Sequence, residues 1–213
     1  MCGIAGFLSP DVGPAMAEVL AAVRAMNDAQ AHRGPDAEGL WSEGPVVLGH
    51  RRLSIIDLSG GHQPLSNADG SLWLVCNGEI YNYRELRARL ESIGARFRTQ
   101  SDTEVLLALY AAYGEQMFEH IRGMYAFALW DEGKHALLLG RDPYGIKPLY
   151  LADDGWTVRV ASQVKALLSS PRVSRVRDPA GRAGFYLFGS VPEPFTMWMQ
   201  VRAVPAGSFQ WVD

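Results

Sequence analysis

Apolar residues recur every three or four positions in two early segments of the chain, the spacing of an amphipathic helix. Pro14 precedes the first segment at a position suited to a first helical turn. That segment contains Met16, Val19, Leu20, Val23 and Met26. The second segment contains Tyr83, Leu86, Leu90 and Ile93. Gly94 follows it at a position where glycine commonly ends a helix, so we expect two amphipathic helices.

A third helix is predicted to begin near Ser101. This residue can act as the N-cap, and Glu104 can reach back to it as in a capping box. Gly114 stands where the helix should end. The apolar residues between these two positions include Val105, Leu106 and Leu109.

Short apolar runs rich in β-forming residues predict strands between and after these helices. They are residues 4–8, 46–48, 72–76, 124–130, 136–139 and 157–161. Turn sequences at 131–133 and 153–155 predict two hairpins. Many short strands with few helices do not match the regular alternation of a doubly wound fold. We therefore expect mainly antiparallel sheets covered by helices.

Composition and charge narrow the class of protein. The chain has 213 residues, of which 48% are hydrophobic, and this suits one large domain. Its formal charge of −3, with no basic block, argues against nucleic acid and anionic membranes as partners. The two cysteines and five scattered histidines suggest neither a disulfide framework nor a metal site. Without a signal peptide or membrane span, we expect a cytoplasmic protein.

Cys2 is the strongest candidate for chemistry. Removal of Met1 would leave a thiol and a free α-amine on one residue, so the nucleophile would carry its own base. The reference pKa values are about 8 for the amine and about 8.5 for the thiol, which makes proton transfer feasible near neutral pH. The alternative is that Cys2 is a small buried hydrophobic residue that begins a strand.

Six motifs follow one another along the chain: CGIAG (2–6), HRGPD (32–36), GHRRLSII (49–56), NGEIYN (77–82), SDTE (101–104) and GIKPLY (145–150). Together they closely resemble the glutaminase domain of the asparagine synthetase family, a class II glutamine amidotransferase. The resemblance implies an α+β N-terminal-nucleophile hydrolase fold, a four-layer αββα sandwich of mainly antiparallel sheets. It assigns residues 2–207 to the glutaminase domain and residues 208–213 to the start of a linker.

The resemblance also implies the catalytic roles. Cys2 would be the nucleophile, and its α-amine would be the general base. The Asn77 side chain and the Gly78 backbone N–H would stabilise the oxyanion. Glutamine would be hydrolysed to glutamate and ammonia through a cysteinyl thioester. From the residues alone, an ordinary turn after the strand at 72–76 is favoured for Asn77 and Gly78, because Asn-Gly is a leading turn dipeptide.

The substrate-binding residues follow in the same way. By resemblance, Arg52 would pair with the α-carboxylate of glutamine, and Glu79 with Asp102 would receive its α-ammonium. Backbone groups of Leu53, Ser54, Ile55 and Ile56 would complete the pocket. Without the resemblance, Arg52 could be a solvated charge and Asp102 could simply favour the positive end of its helix.

The expected partners are L-glutamine and an ATP-dependent synthetase, as an absent C-terminal domain or a separate subunit. The resemblance implies no cofactor or metal in this domain, with ATP and Mg²⁺ needed only by the synthetase. That synthetase would amidate a carboxylate, by default aspartate to asparagine. Gln163 stands where the family usually has Glu, which puts the acceptor and the coupling in doubt. The sequence leaves a homodimer open.

Two other functions remain open at this point. The chain could be a stand-alone N-terminal-nucleophile amidase that acts on another amide, or a non-catalytic module that binds glutamine or a synthetase. Arg52, Glu79 and Asp102 argue against the first, and the presence of Cys2 argues against the second.

Overall fold

The computed structural model describes residues 1–9 and 16–213. Its strands are β1 (Gly3–Leu8), β2 (Ala37–Glu43), β3 (Val46–Arg52), β4 (Leu65–Ser66), β5 (Leu72–Ile80), β6 (Gly123–Asp131), β7 (Ala136–Arg141), β8 (Tyr150–Asp153), β9 (Val158–Ala161), β10 (Val201–Ala203) and β11 (Phe209–Val212). Its α-helices are α1 (Met16–Ala29), α2 (Tyr83–Ser92), α3 (Glu104–Tyr113), α4 (Val164–Leu167) and α5 (Pro179–Phe188). Two short 3₁₀ helices span Ala31–Arg33 and Gly114–Glu119.

The strands form two antiparallel sheets. The first sheet has the order β10-β8-β9-β1-β3-β2, and the second has the order β11-β7-β6-β5-β4. Neighbouring strands are antiparallel in both sheets. The expectation of mainly antiparallel sheets is confirmed, and so are the hairpins joining β6 to β7 and β8 to β9.

Three apolar cores separate four layers. Ile4 and Leu48 of the first sheet pack against Trp130 of the second, between the sheets. On the outer face of the first sheet, α1 and α4 cover a core that includes Val23. On the outer face of the second sheet, α2 and α3 cover a core that includes Leu90. Complete burial of one such aliphatic side chain stabilises the fold by about 1.5–3 kcal/mol, so each layer is held by its apolar face.

The three predicted helices are present, and the second and third end at the predicted glycines. The first predicted helix is α1, which begins at Met16, whereas Pro14 lies outside the described residues. The second is α2, and Gly94 just beyond it has φ 98°. The third is α3, followed by Gly114 with φ 56°. These positive φ angles are accessible to glycine, which explains why the helices stop there.

The predicted capping box of α3 is wrong. The N-cap is Thr103, with no side-chain capping bond. The buried Glu104 carboxylate instead accepts hydrogen bonds from the backbone N–H groups of Arg98 and Thr99, both at 2.8 Å. A buried carboxylate needs several donors, and the segment preceding the helix supplies them by turning its N–H groups toward Glu104.

The sequence pattern missed several short or half-buried elements. They are β2, β4, β10, α4 and α5. β2 is an edge strand without full alternation of buried and exposed positions, which weakens its period-2 signal. Within the expected linker at residues 208–213, β11 pairs with β7 at the edge of the second sheet, and the boundary at residue 207 stays a prediction. None of the helices in the described part of the chain is long and apolar enough to cross a membrane.

Candidate active site

Two neighbouring strands of the first sheet bring Cys2 and Arg52 together. Cys2 immediately precedes β1, and Arg52 is the last residue of β3. These strands are antiparallel neighbours with Gly3 opposite Arg51, so the start of one lies beside the end of the other. Asn77 comes from β5 of the second sheet, and a cavity of about 330 Å³ is bounded by residues of both sheets.

This cavity collects most of the residues that the sequence singled out. Those that line it are Cys2, Arg52, Leu53, Ile55, Ile56, Asn77, Gly78, Glu79 and Asp102. Ser54 is not among the lining residues. Its backbone N–H donates to the Asp36 carboxylate at 2.7 Å, and its expected part in completing the pocket stays a prediction. Pocket residues that the sequence did not single out are Met1, Gly61, Gln63, Cys76, Ser101, Thr103, Met124 and Lys147.

The Cys2 thiol is half-buried and faces the backbone of Leu53. The Leu53 N–H donates to Cys2 Sγ at 3.4 Å, and Sγ lies 3.7 Å from the Leu53 carbonyl oxygen. Burial raises the pKa of the Cys2 thiol, while the Leu53 N–H and nearby positive charges oppose that rise. The thiol is therefore mostly protonated at neutral pH, and its use as a nucleophile requires a base.

Arg33 fixes the backbone of the same residue. Its Nε donates to the Cys2 carbonyl oxygen at 2.9 Å, from the 3₁₀ helix that follows α1. Arg33 belongs to the HRGPD motif, but nothing in that motif predicts this contact. The bond restrains the position of the thiol relative to the cavity.

Asn77 supplies a buried donor that is not used within the described part of the chain. Its Nδ2 has no hydrogen-bond partner there, although the side chain is 1% exposed. A buried unpaired donor costs about 1–3 kcal/mol, and such groups are often explained by function. Asn77 and Gly78 both pair with β6, opposite Ala126 and Tyr125, so they lie within a strand and do not form a turn.

The cavity also carries charges of both signs. Asp102 is buried, and its carboxylate accepts a hydrogen bond from the Ile80 N–H at 2.9 Å. Burial raises the pKa of Asp102, and the negative charge of Glu79 adds to the rise. The Arg52 guanidinium donates to the carbonyl oxygens of Ile56 and Leu58, both at 3.2 Å, and so holds the loop that forms one wall. A ligand with one charged group of each sign fits this arrangement.

Across residues 1–9 and 16–213, no three His, Cys, Asp or Glu side chains are grouped so that they could hold a metal ion.

The family of the chain is established by a match to a known sequence profile. The sequence profile described as "Glutamine amidotransferase domain" matches residues 1–213. The chain belongs to this family. The resemblance drawn from the six motifs is thereby confirmed, and so is the assignment to the glutamine amidotransferase class of enzymes.

Curated relatives of the amidotransferase domain are much longer proteins. The domain is 42% identical over 208 residues to asparagine synthetase [glutamine-hydrolyzing] 1 of Bacillus subtilis (strain 168). This match covers 98% of the domain and 33% of the relative. The domain is 41% identical over 182 residues to asparagine synthetase B [glutamine-hydrolyzing] of Escherichia coli (strain K12), with coverage of 85% and 32%. The domain thus spans about a third of the length of these relatives.

A solved structure shares the fold of the amidotransferase domain. The glutamine phosphoribosylpyrophosphate amidotransferase from B. subtilis matches with a TM-score of 0.70 and 23% identity, over 100% of the domain and 47% of that chain. The predicted α+β fold of the N-terminal-nucleophile hydrolase type is confirmed by this match and by the two antiparallel sheets between helical layers.

Proposed function

We propose that the domain hydrolyses the side-chain amide of L-glutamine through a thioester on Cys2. One observation carries the proposal: a single cavity holds the Cys2 thiol, the unpartnered Nδ2 of Asn77 and charges of both signs. Free glutamine presents an amide at one end and a carboxylate with an ammonium at the other. The cavity offers chemistry for both ends.

The reaction begins after Met1 is removed. The α-amine of Cys2 takes the proton of the thiol, and the thiolate attacks the side-chain carbonyl carbon of glutamine. The carbonyl oxygen becomes an oxyanion that accepts hydrogen bonds from Asn77 Nδ2 and the Gly78 N–H. The C–N bond then breaks, and the protonated amine returns its proton to the leaving ammonia. Water attacks the thioester, releases glutamate and restores the thiol.

Recognition of the α-carbon end uses the charged residues. Arg52 pairs with the carboxylate of glutamine, for which its planar guanidinium is suited. Asp102 and Glu79 receive the ammonium, whose positive charge favours the ionised form of Asp102 despite its burial. Leu53, Ile55 and Ile56 form the adjoining wall.

The released ammonia is used, in this proposal, by an ATP-dependent synthetase that amidates a carboxylate, with aspartate as the default acceptor. The names of the relatives and their threefold greater length support this partner. ATP and Mg²⁺ would belong to the synthetase. A cytoplasmic location is part of the same inference.

Helix α5 is our candidate for the surface that contacts the synthetase. Four consecutive residues near its end are 49–80% exposed, and contiguous apolar patches commonly mark interaction sites. They are Phe185, Tyr186, Leu187 and Phe188. Sedimentation velocity of the domain alone tests this assignment. A dimer that Leu187→Asp converts to a monomer would show that α5 mediates self-association, and would contradict the assignment to a synthetase.

The catalytic proposal is tested by release of glutamate and ammonia from glutamine. We expect turnover by the purified domain, and at least a 100-fold lower rate for Cys2→Ser, because a hydroxyl is far less acidic than a thiol. N-acetylglutamine is the matched control substrate, since it lacks the ammonium that Asp102 and Glu79 would bind. Equal turnover of both substrates would contradict the proposed recognition, and unchanged activity of Cys2→Ser would contradict the mechanism.

A further inference from the structure

Lys147 is a buried cation in the wall of the active-site cavity. It is 6% exposed and lines the same cavity as Cys2. Lysine is rarely buried to this extent unless it is paired. No ion pair joins its ammonium to a carboxylate among the residues that the structure describes. Its charge is therefore not neutralised by a described neighbour.

The loop that carries Lys147 is held tightly in place. Its anchor is the fully buried Asp142, whose carboxylate accepts hydrogen bonds from the backbone N–H groups of Tyr144, Ile146 and Lys147 at 3.1, 3.0 and 2.9 Å. Arg141 Nε also donates to the Lys147 carbonyl oxygen at 2.9 Å. Because both the N–H and the carbonyl oxygen of Lys147 are hydrogen-bonded, its Cα position is fixed by the fold. This restricts the positions that its ammonium group can reach.

The location of this cation matters for a thiol that must ionise. Burial destabilises the thiolate form of Cys2, and a positive charge that lines the same cavity offsets part of that effect. The positive charges that oppose the rise in the pKa of the Cys2 thiol are, in decreasing order, the terminal α-amine, Arg52 and Lys147, and Lys147 acts in the same direction on Cys76.

We propose that Lys147 is a positioning residue that stabilises the Cys2 thiolate electrostatically during transfer of the thiol proton to the α-amine. This inference rests on the proposed glutaminase function. Lys147 does not contact glutamine in this role and acts through Cys2. The proton moves from Cys2 Sγ to the α-amine, and no other bond forms or breaks in this step.

The test is the pH dependence of Cys2 alkylation by iodoacetamide, with Cys2 modification quantified by peptide mass. Lys147→Met keeps the length of the side chain and removes its charge, whereas Lys147→Arg keeps the charge. We expect the Met variant to shift the alkylation midpoint upward by about 0.3 pH unit or more, a roughly twofold or greater loss of thiolate at neutral pH, and the Arg variant to stay near the wild type.

An unchanged midpoint in Lys147→Met, with thermal unfolding like that of the wild type, would overturn the proposal. If the Met variant does not fold, Lys147→Gln serves as the second uncharged variant and is judged in the same way. Alkylation needs no glutamine turnover. Failure of the glutaminase proposal would therefore appear as a wild type that alkylates normally but releases no glutamate, and it would be distinguishable from failure of the Lys147 proposal.

Discussion

Asp102 is a buried carboxyl group in the wall of the cavity. It is 5% exposed, it lies near Glu79, and its pKa is raised mainly by burial. A carboxyl group whose pKa is higher in the folded than in the unfolded state contributes most stability at low pH. That contribution is lost as the pH rises through the folded-state pKa. At neutral pH the ionised Asp102 therefore costs stability, and we attribute its presence to binding of a cation.

Replacement of Asp102 with Asn should separate stability from function. The amide oxygen of the Asn variant can still accept the Ile80 N–H, while the buried negative charge disappears. We expect a thermal unfolding midpoint at neutral pH equal to or above that of the wild type, together with a KM for glutamine raised about tenfold or more. A lower midpoint with unchanged KM would instead identify Asp102 as a structural residue.

Asn77 should affect the chemical step more than binding. Asn77→Asp has almost the same shape but replaces the proposed oxyanion donor with an acceptor. We expect kcat for glutamine to fall by about 10²–10³ with little change in KM, because the lost hydrogen bond forms mainly in the transition state. Steady-state kinetics measures this. A variant with altered KM and wild-type kcat would argue against the oxyanion role.

At the scale of elements, α5 depends on two small residues on its buried face. A Cβ added at Gly181 would lie 1.9 Å from the Thr196 carbonyl oxygen, and one at Gly184 would lie 2.3 Å from Pro192 Cδ. The helix therefore packs closely on the segment before β10, and its larger apolar residues face outward.

Gly181→Ala should for this reason destabilise the domain despite the better helix propensity of alanine. We expect a loss of about 1–3 kcal/mol in the free energy of unfolding, measured by chemical denaturation. Ala183→Ser, at an exposed position of the same helix, is the matched control and should change it by less than about 0.5 kcal/mol. Equal effects of the two substitutions would contradict the close packing.

Helices with an apolar stripe on the buried face could be predicted from the sequence, and α5 could not. Helices α1 and α2 each bury one apolar stripe, so apolar residues recur every three or four positions in their sequences. Helix α5 instead buries Gly181 and Gly184 and exposes its bulky residues, which inverts the usual signal. Strand β11 is only partly buried at the sheet edge and carries little alternation.

Some residues of the site could be predicted from sequence motifs, and others depend on tertiary contacts. Motif resemblance located the nine lining residues that form most of the cavity. The contribution of Lys147 depends on the path of a loop anchored by Asp142, and that of Gln63 on a hydrogen bond from the Cys76 N–H to its Oε1 at 2.6 Å. Such contacts follow from tertiary packing, which periodicity and composition do not contain.

At the scale of the whole molecule, His50 links the two sheets. It is completely buried in β3, and its Nε2 lies 3.1 Å from the Cys76 carbonyl oxygen in β5. Burial lowers the pKa of His50 to about 4. The folded state therefore keeps this imidazole neutral in a pH range where the unfolded chain binds a proton.

The stability of the domain should consequently fall in mild acid. Because the folded-state pKa of this base is below its unfolded value, the contribution is complete above about pH 6.5 and is lost as the pH falls toward 4, by about 3 kcal/mol. Chemical denaturation at a series of pH values measures this loss. His50→Gln should flatten the dependence over that range, and an equally steep dependence in the variant would assign the loss to other groups.

The most direct test of the central claim is detection of the covalent intermediate. The domain is mixed with glutamine, quenched in acid and analysed by intact and peptide mass, beside a chain with one extra residue before Cys2 to block its amine. We predict a glutamyl thioester on Cys2 of chains that have lost Met1, and none on the blocked chain. Glutamate release by the blocked chain, or an adduct on another residue, would contradict catalysis by Cys2 with its own α-amine as base.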